Sequence, residues 1–165
     1  MKRSTILILS FLVITNSVWS APRWLNLYIP EFDNIRNDPS VAWLSSGFVD
    51  ILSKKFTEID GVRVYGRSSL EKILQDKSSF LTQRPGTENI LIMATFSRQL
   101  DQVNVNAQLI DVANWDELAS VRLIGSMNNI TMFGDELFVK ISEKIKDRIP
   151  PSLKVGELQS LGGYT

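Results

Sequence analysis

Val103-Asn104-Val105-Asn106-Ala107-Gln108-Leu109-Ile110-Asp111 alternates apolar and polar side chains with the two-residue period of a strand. Val103, Val105, Ala107 and Leu109 form a face that belongs against a core, while Asn104, Asn106, Gln108 and Ile110 form one that lies largely toward water. Just upstream, residues 90–96 are apolar on both faces, as a central strand is. Just downstream, residues 119–125 repeat a weaker alternation. The connections at residues 99–102 and 113–117 are short, so the three strands make an antiparallel meander.

Flanking the meander are segments of a different period. Residues 24–29 are a short apolar run stopped by Pro30, a buried strand. The polar segment 31–40 follows, in which Asp38 can cap a helix with Pro39 at its first position, where a missing N–H does no harm. Val41, Leu44, Phe48, Ile51, Leu52, Phe56 and Ile59 then recur at helical spacing as one core-facing stripe, and Asp60-Gly61 ends the helix. Residues 62–65 are a second short strand. Ser68 and Glu71 have the spacing of a capping box for a helix that turns Leu70, Ile73 and Leu74 inward. Residues 77–89 form the longest loop. Past the meander, Phe133, Leu137, Phe138, Ile141 and Ile145 outline a last helix with a charged outer side, which Pro150-Pro151 terminates. The expected class is α/β (α+β): a mixed sheet of about five strands flanked by helices, in the order β-α-β-α-β-β-β-α.

The chain has 165 residues, 44% of them hydrophobic and 22% charged, which suits one globular domain. Its first 20 residues have the layout of an export signal. Lys2 and Arg3 precede an apolar run over residues 6–14, and Val18-Trp19-Ser20 places small or compact residues before a cleavage point after Ser20. The apolar run falls short of the roughly 20 residues a bilayer span requires. The expected organisation is therefore a signal peptide over residues 1–20, one domain over residues 21–150 and a loose polar tail over residues 151–165. The mature product is expected in the periplasm or outside the cell, with no membrane span.

There is no cysteine and no histidine. That removes disulfides, thiol catalysis, the commonest general base and the usual transition-metal ligands. Without Lys2 and Arg3, 16 basic residues face 18 acidic ones, a net charge of −2. No basic excess exists to hold nucleic acid, and no polybasic cluster to hold a membrane surface. No cofactor and no metal are expected.

Several short motifs share a pattern. Ile29-Pro30-Glu31-Phe32-Asp33-Asn34, Asn37-Asp38-Pro39, the segment Leu44-Ser45-Ser46-Gly47-Phe48-Val49-Asp50-Ile51-Leu52, Asp60-Gly61-Val62-Arg63-Val64 and Arg67-Ser68-Ser69 together resemble the TolB amino-terminal-like domain. That domain belongs to a group with the flagellar FlgO-like and curli CsgG-like envelope proteins. The strand at residues 103–111 is similar to the one that reads V-x-V-x-A-Q-L-I-D in such domains. The resemblance covers about residues 25–148. It implies a sheet flanked by helices that serves protein–protein contact in envelope machinery, and it implies no chemistry. Asn114-Trp115-Asp116 departs from the pattern, replacing the usual glycine-containing turn. The membrane-crossing hairpins and lipid-bearing cysteine of the curli pore are also missing, which argues against a secretion channel.

Individual residues add little chemistry. Ser69-Leu70-Glu71-Lys72 matches the S-x-x-K pattern of penicillin-recognising serine enzymes, but a K-T-G partner is missing and the chain is too short for that fold. A capping serine beside a surface lysine explains it. Glu31, Asp33, Asp38 and Asp50 fit no calcium loop and read as solvated acids with one helix cap. Trp115 differs: a large ring at a hairpin tip is a common interface anchor, the equal alternative being that it folds back onto the sheet. The expected contact residues are Trp115, Asn114, Asp116 and, in the Arg84-Pro85-Gly86-Thr87 loop, Arg84. The function expected from the sequence is thus a non-catalytic accessory protein that binds a component of an envelope assembly, self-association into a homo-oligomer being compatible with that role. The alternative is a periplasmic module that binds a small molecule or glycan.

Overall fold

A computed structural model describes residues 24–75, 83 and 86–150. The expected signal peptide, its cleavage point, the tail over residues 151–165 and Arg84 lie outside the described residues. Strand β1 (Trp24–Tyr28) leads through a two-residue strand β2 (Asp33–Asn34) and a 3-10 turn (Pro39–Val41) into helix α1 (Leu44–Thr57). Then come β3 (Val62–Tyr65), α2 (Arg67–Gln75), the meander β4 (Thr87–Gln99), β5 (Gln102–Asp111) and β6 (Glu117–Ser126), and finally α3 (Ile130–Ile145).

The five longer strands lie in the order β3-β1-β4-β5-β6, with β2 beside β4. β1 runs parallel to both β3 and β4, whereas β5 is antiparallel to both β4 and β6, as the short turns of the meander predict. Between Leu109↔Ala119 and Ile110↔Glu117 the register shifts, leaving Leu118 as the extra residue of a bulge. The sequence reading misses β2: Asp33 and Asn34 pair with Thr95 and Phe96 because β4 outruns β1 and leaves an edge for them to complete. β4 is also longer than the apolar run that announced it, since Thr87, Glu88 and Asn89 pair with Trp24, Leu25 and Asn26.

Helices α1 and α3 share one face of the sheet, and the main core lies beneath them. Leu44, Phe48, Leu52 and Phe56 of α1, with Val41 and Ile59 at its ends, meet Leu25, Leu27, Ile90, Ile92 and Phe96 of the sheet. Phe133, Leu137, Phe138, Ile141 and Ile145 of α3 complete that core. Phe48 sits at its centre, with ring centroids 5.3 Å from Phe32, 6.0 Å from Phe96 and 5.7 Å from Phe133. Such ring pairs add to simple area burial. Lys55 of α1 reaches Asp135 of α3 at 3.1 Å across the two helices.

Two helix starts differ from expectation. Asp38 does cap, accepting from the Ser40 amide at 2.9 Å and its hydroxyl at 2.7 Å, but the turn it caps is 3-10 and α1 begins only at Leu44. The expected single helix is therefore two pieces. α2 starts at Arg67, one residue before the expected Ser68 cap. The Gly66 carbonyl accepts from the Ser69 and Leu70 amides, and Glu71 takes the Arg67 guanidinium at 2.9 Å instead of closing a capping box. On α2, Leu70 is buried and Ile73 packs beside it, but Leu74 is 41% exposed. This helix covers only the part of the second sheet face near β1, so its third apolar residue overhangs sheet that no other described residue covers.

Candidate functional site

The β5–β6 turn is built by its own hydrogen bonds. Asp111 N donates to Asp116 O at 2.9 Å, Trp115 N to Asp111 O at 2.7 Å and Ala113 N to the Asp111 carboxylate at 2.9 Å. Asn114 and Asp116 grip each other, the amide donating to the carboxylate and the Asp116 N–H to the Asn114 side-chain oxygen at 3.2 Å. Val112 anchors the turn inward, buried, its N–H on Asn89 O at 3.0 Å. Trp115 stands at φ 65° and is 51% exposed. A left-handed backbone costs a residue with a Cβ about 1–2 kcal/mol relative to glycine. The turn thus holds an indole partly in water on a backbone that glycine or asparagine would adopt more easily. The three residues singled out in the sequence here, Trp115, Asn114 and Asp116, do come together.

A second feature lies on the sheet face that carries α2. Among the described residues nothing covers the strands β4, β5 and β6 past α2, and a groove of about 940 Å³ runs along them. Leu74 and Glu71 of α2 form one wall; Met93, Asn106, Gln108 and Arg122 lie on the floor. Two hydrogen bonds tie the floor together, Arg122 Nε to Asn106 Oδ1 at 2.8 Å and Gln108 Nε2 to Glu117 Oε2 at 3.1 Å. Glu31 and Asp33 line the same groove, while Asp38 is committed to Ser40 and Asp50 lies exposed on α1. The Ser40 hydroxyl and amide hold the Asp38 carboxyl below its usual range. Among the described residues no three acids gather closely enough to hold a metal ion.

A third feature sits under α2, where sequence reasoning found only a capping serine. Parallel pairing of β1 with β4 sets Asn26 beside Asn89, each only 7% exposed. Asn26 Nδ2 donates to Asn89 Oδ1 at 3.0 Å, and the Tyr28 hydroxyl donates to the same oxygen at 3.3 Å. Asn89 Nδ2 in turn donates to Gln83 Oε1 at 2.8 Å. In front of this network opens a pocket of about 440 Å³. Tyr65 stacks on Tyr28 at 5.4 Å between centroids, and the Arg63 guanidinium lies 5.1 Å from the Trp24 ring. Burial, with a smaller contribution from neighbouring Tyr65, pushes the Tyr28 phenol up to about 12, so it stays protonated. Ser69 and Lys72 line the same pocket, and no hydrogen bond joins their side chains. The signal in the sequence was Asn26, a lone amide inside an apolar strand.

No family model matches the sequence, and no curated protein resembles it in sequence. Solved structures do resemble the fold. TolB from Acinetobacter baumannii is 18% identical with a TM-score of 0.51, over 77% of this chain and 30% of TolB. The PelC dodecamer from Paraburkholderia phytofirmans is 17% identical with a TM-score of 0.45, over 76% of this chain and 89% of PelC. The lipoprotein GNA1162 from Neisseria meningitidis is 18% identical with a TM-score of 0.37, over 79% of this chain and 99% of the lipoprotein. The likeness to TolB bears on the fold alone, and this chain spans less than a third of TolB. Among the described residues no helix is long and apolar enough to cross a membrane.

Proposed function

We propose that the protein is an exported, non-catalytic accessory component that docks on a larger assembly of the cell envelope through its β5–β6 turn. The observation that carries this reading is Trp115, half in water on a left-handed backbone that a local hydrogen-bond network holds in place. Strain of this kind persists where the surroundings enforce it, and it is concentrated at contact and active sites. A rigid, partly exposed indole flanked by Asn114 and Asp116 has the make-up of an interface anchor. The outer flank of β6, ten residues long at the end of the sheet, offers a second contact strip next to that turn. The signal-like first 20 residues and the resemblance of the sequence to envelope domains support the exported, cell-envelope part of this reading.

The test is a crosslinking pull-down of the full chain from its own cell envelope, run beside Trp115→Ala. A discrete assembly that the wild type recovers and the variant loses by about tenfold supports docking through the turn, since anchor truncations cost on the order of 1.4 kcal/mol or more. Equal recovery by both proteins, or recovery of the protein alone, rejects it.

A further inference from the structure

The polar pocket under α2 is costly to build. Buried amides are unfavourable unless hydrogen-bonded, and apolar side chains at positions 26 and 89 would have extended the adjacent cluster of Tyr28, Leu70, Leu91 and Val112. The chain instead sets the Asn26 amide and the Tyr28 phenol in the lining of an open cavity, with the Asn89 side-chain oxygen behind them accepting from both. Charge is distributed unevenly around it. Arg63 from β3 and Lys72 from α2 line the pocket, and among the described residues none that lines it is acidic, although the chain as a whole carries 18 acidic residues to 18 basic ones. Aromatic surface is supplied by Trp24 and Tyr65, with the Ser69 hydroxyl between α2 and the sheet. A volume of about 440 Å³ lies near the lower end of the range for small-molecule sites and suits one or two rings.

We infer that this pocket binds a small carboxylated saccharide, with Arg63 and Lys72 taking the carboxylate and Asn26 and Tyr28, held from behind by Asn89, facing the hydroxyl groups. Each part of that ligand answers a part of the site. A guanidinium forks onto a carboxylate through two parallel N–H groups, which a neutral sugar cannot exploit. Neutral amides and a phenol both donate and accept, as a ring of hydroxyls requires. The aromatic walls suit the apolar face of a sugar ring, which a bare phosphate ion lacks. This inference is independent of docking through Trp115, because the pocket and the turn share no residue.

The experiment is calorimetric titration of the full chain with glucuronate, glucose and inorganic phosphate, in parallel with Arg63→Gln and Lys72→Gln. Both side chains are exposed, and unchanged thermal melts of the variants verify that they fold. Glucuronate is expected to bind in the micromolar to millimolar range, each variant weakening it by about tenfold through loss of a charge-assisted hydrogen bond. Glucose is expected to bind at least about tenfold more weakly, as is phosphate. Failure of glucuronate to bind at about 10 mM overturns the inference, as does binding that neither substitution weakens. Equal affinity for glucose removes the carboxylate from it, and equal affinity for phosphate removes the sugar ring; either result overturns it as stated.

Discussion

Replacing Gly125 with alanine should destabilise the protein through one neighbour. Gly125 lies near the end of β6, where α3 folds back over the sheet. A Cβ at this position would overlap Cδ2 of Phe133 and lie 2.8 Å from its Cε2. Ordinary carbon contacts are about 3.5–4.0 Å, so the ring must retreat by roughly 1 Å. It has little room to do so, being 3% exposed and held at 5.7 Å from Phe48 in the centre of the core. Overpacking of this kind costs about 1–3 kcal/mol, and the entropy advantage of alanine over glycine returns about 0.5–1. The expected net loss is about 1–2 kcal/mol. Urea denaturation measures it, preferably as a double-mutant cycle with Phe133→Leu, which removes the ring atoms that collide. In the Phe133→Leu background the cost of Gly125→Ala should fall by about 1 kcal/mol. A wild-type urea midpoint for Gly125→Ala, or an identical cost in both backgrounds, would refute the reasoning.

Gly134→Ala should behave differently despite a similar crowding. Its Cβ would meet Ile51 Cδ1 at 2.8 Å and Cγ2 at 3.0 Å, the mobile end of a half-buried side chain, while alanine gains about 0.8–1 kcal/mol in a helix. The net change should stay within about 0.5 kcal/mol by urea denaturation; a loss above about 2 would mean that the helix backbones fix the α1–α3 separation. Tyr28 makes the protein sensitive to alkali. Its phenol is neutral when protonated and its folded pKa, about 12, lies above the ordinary 10.0, so the unfolded chain loses that proton first. This contribution is intact below pH 10 and disappears as pH rises toward 12, by about 2–3 kcal/mol. Tyr28→Phe should lack that component in chemical melts across the same window, and a matching alkaline loss in the variant would assign it to other groups.

The fold was readable where one period dominated. The alternation at residues 103–111 and the short turns beside it predicted the meander, and the apolar stripes of α1 and α3 matched what the structure buries except at Ile51, which is only half-buried. What escaped was set by partners distant in sequence. Asp33 and Asn34 become a strand only because β4 extends past β1, and Leu74 stays in water because, among the described residues, nothing covers the sheet beyond α2. The Trp115 turn was legible, since a tryptophan between Asn114 and Asp116 is conspicuous at a hairpin tip. Its left-handed backbone was not, because no glycine marks it. The pocket was hidden for a different reason: Asn26 and Asn89 are 63 residues apart, and only parallel pairing of β1 with β4 makes them neighbours.

That same pairing governs the order in which the chain can fold. β1 is made early, yet its hydrogen bonds to β4 join residues 63 positions apart. At roughly 5–20 residues per second, synthesis leaves it without that partner for about 3–12 seconds. The meander is different, because β4, β5 and β6 follow one another through short turns and can pair as soon as they exist. During the interval Leu25, Leu27 and Ile29 can pair only with β3, along one edge of β1, and α1 lacks most of the strand surface it packs on. The N-terminal half of the chain therefore lacks the central strand of its sheet until β4 is complete. A polypeptide in that state can still be threaded lengthwise through a narrow channel, and it closes into its final shape once β4 has followed.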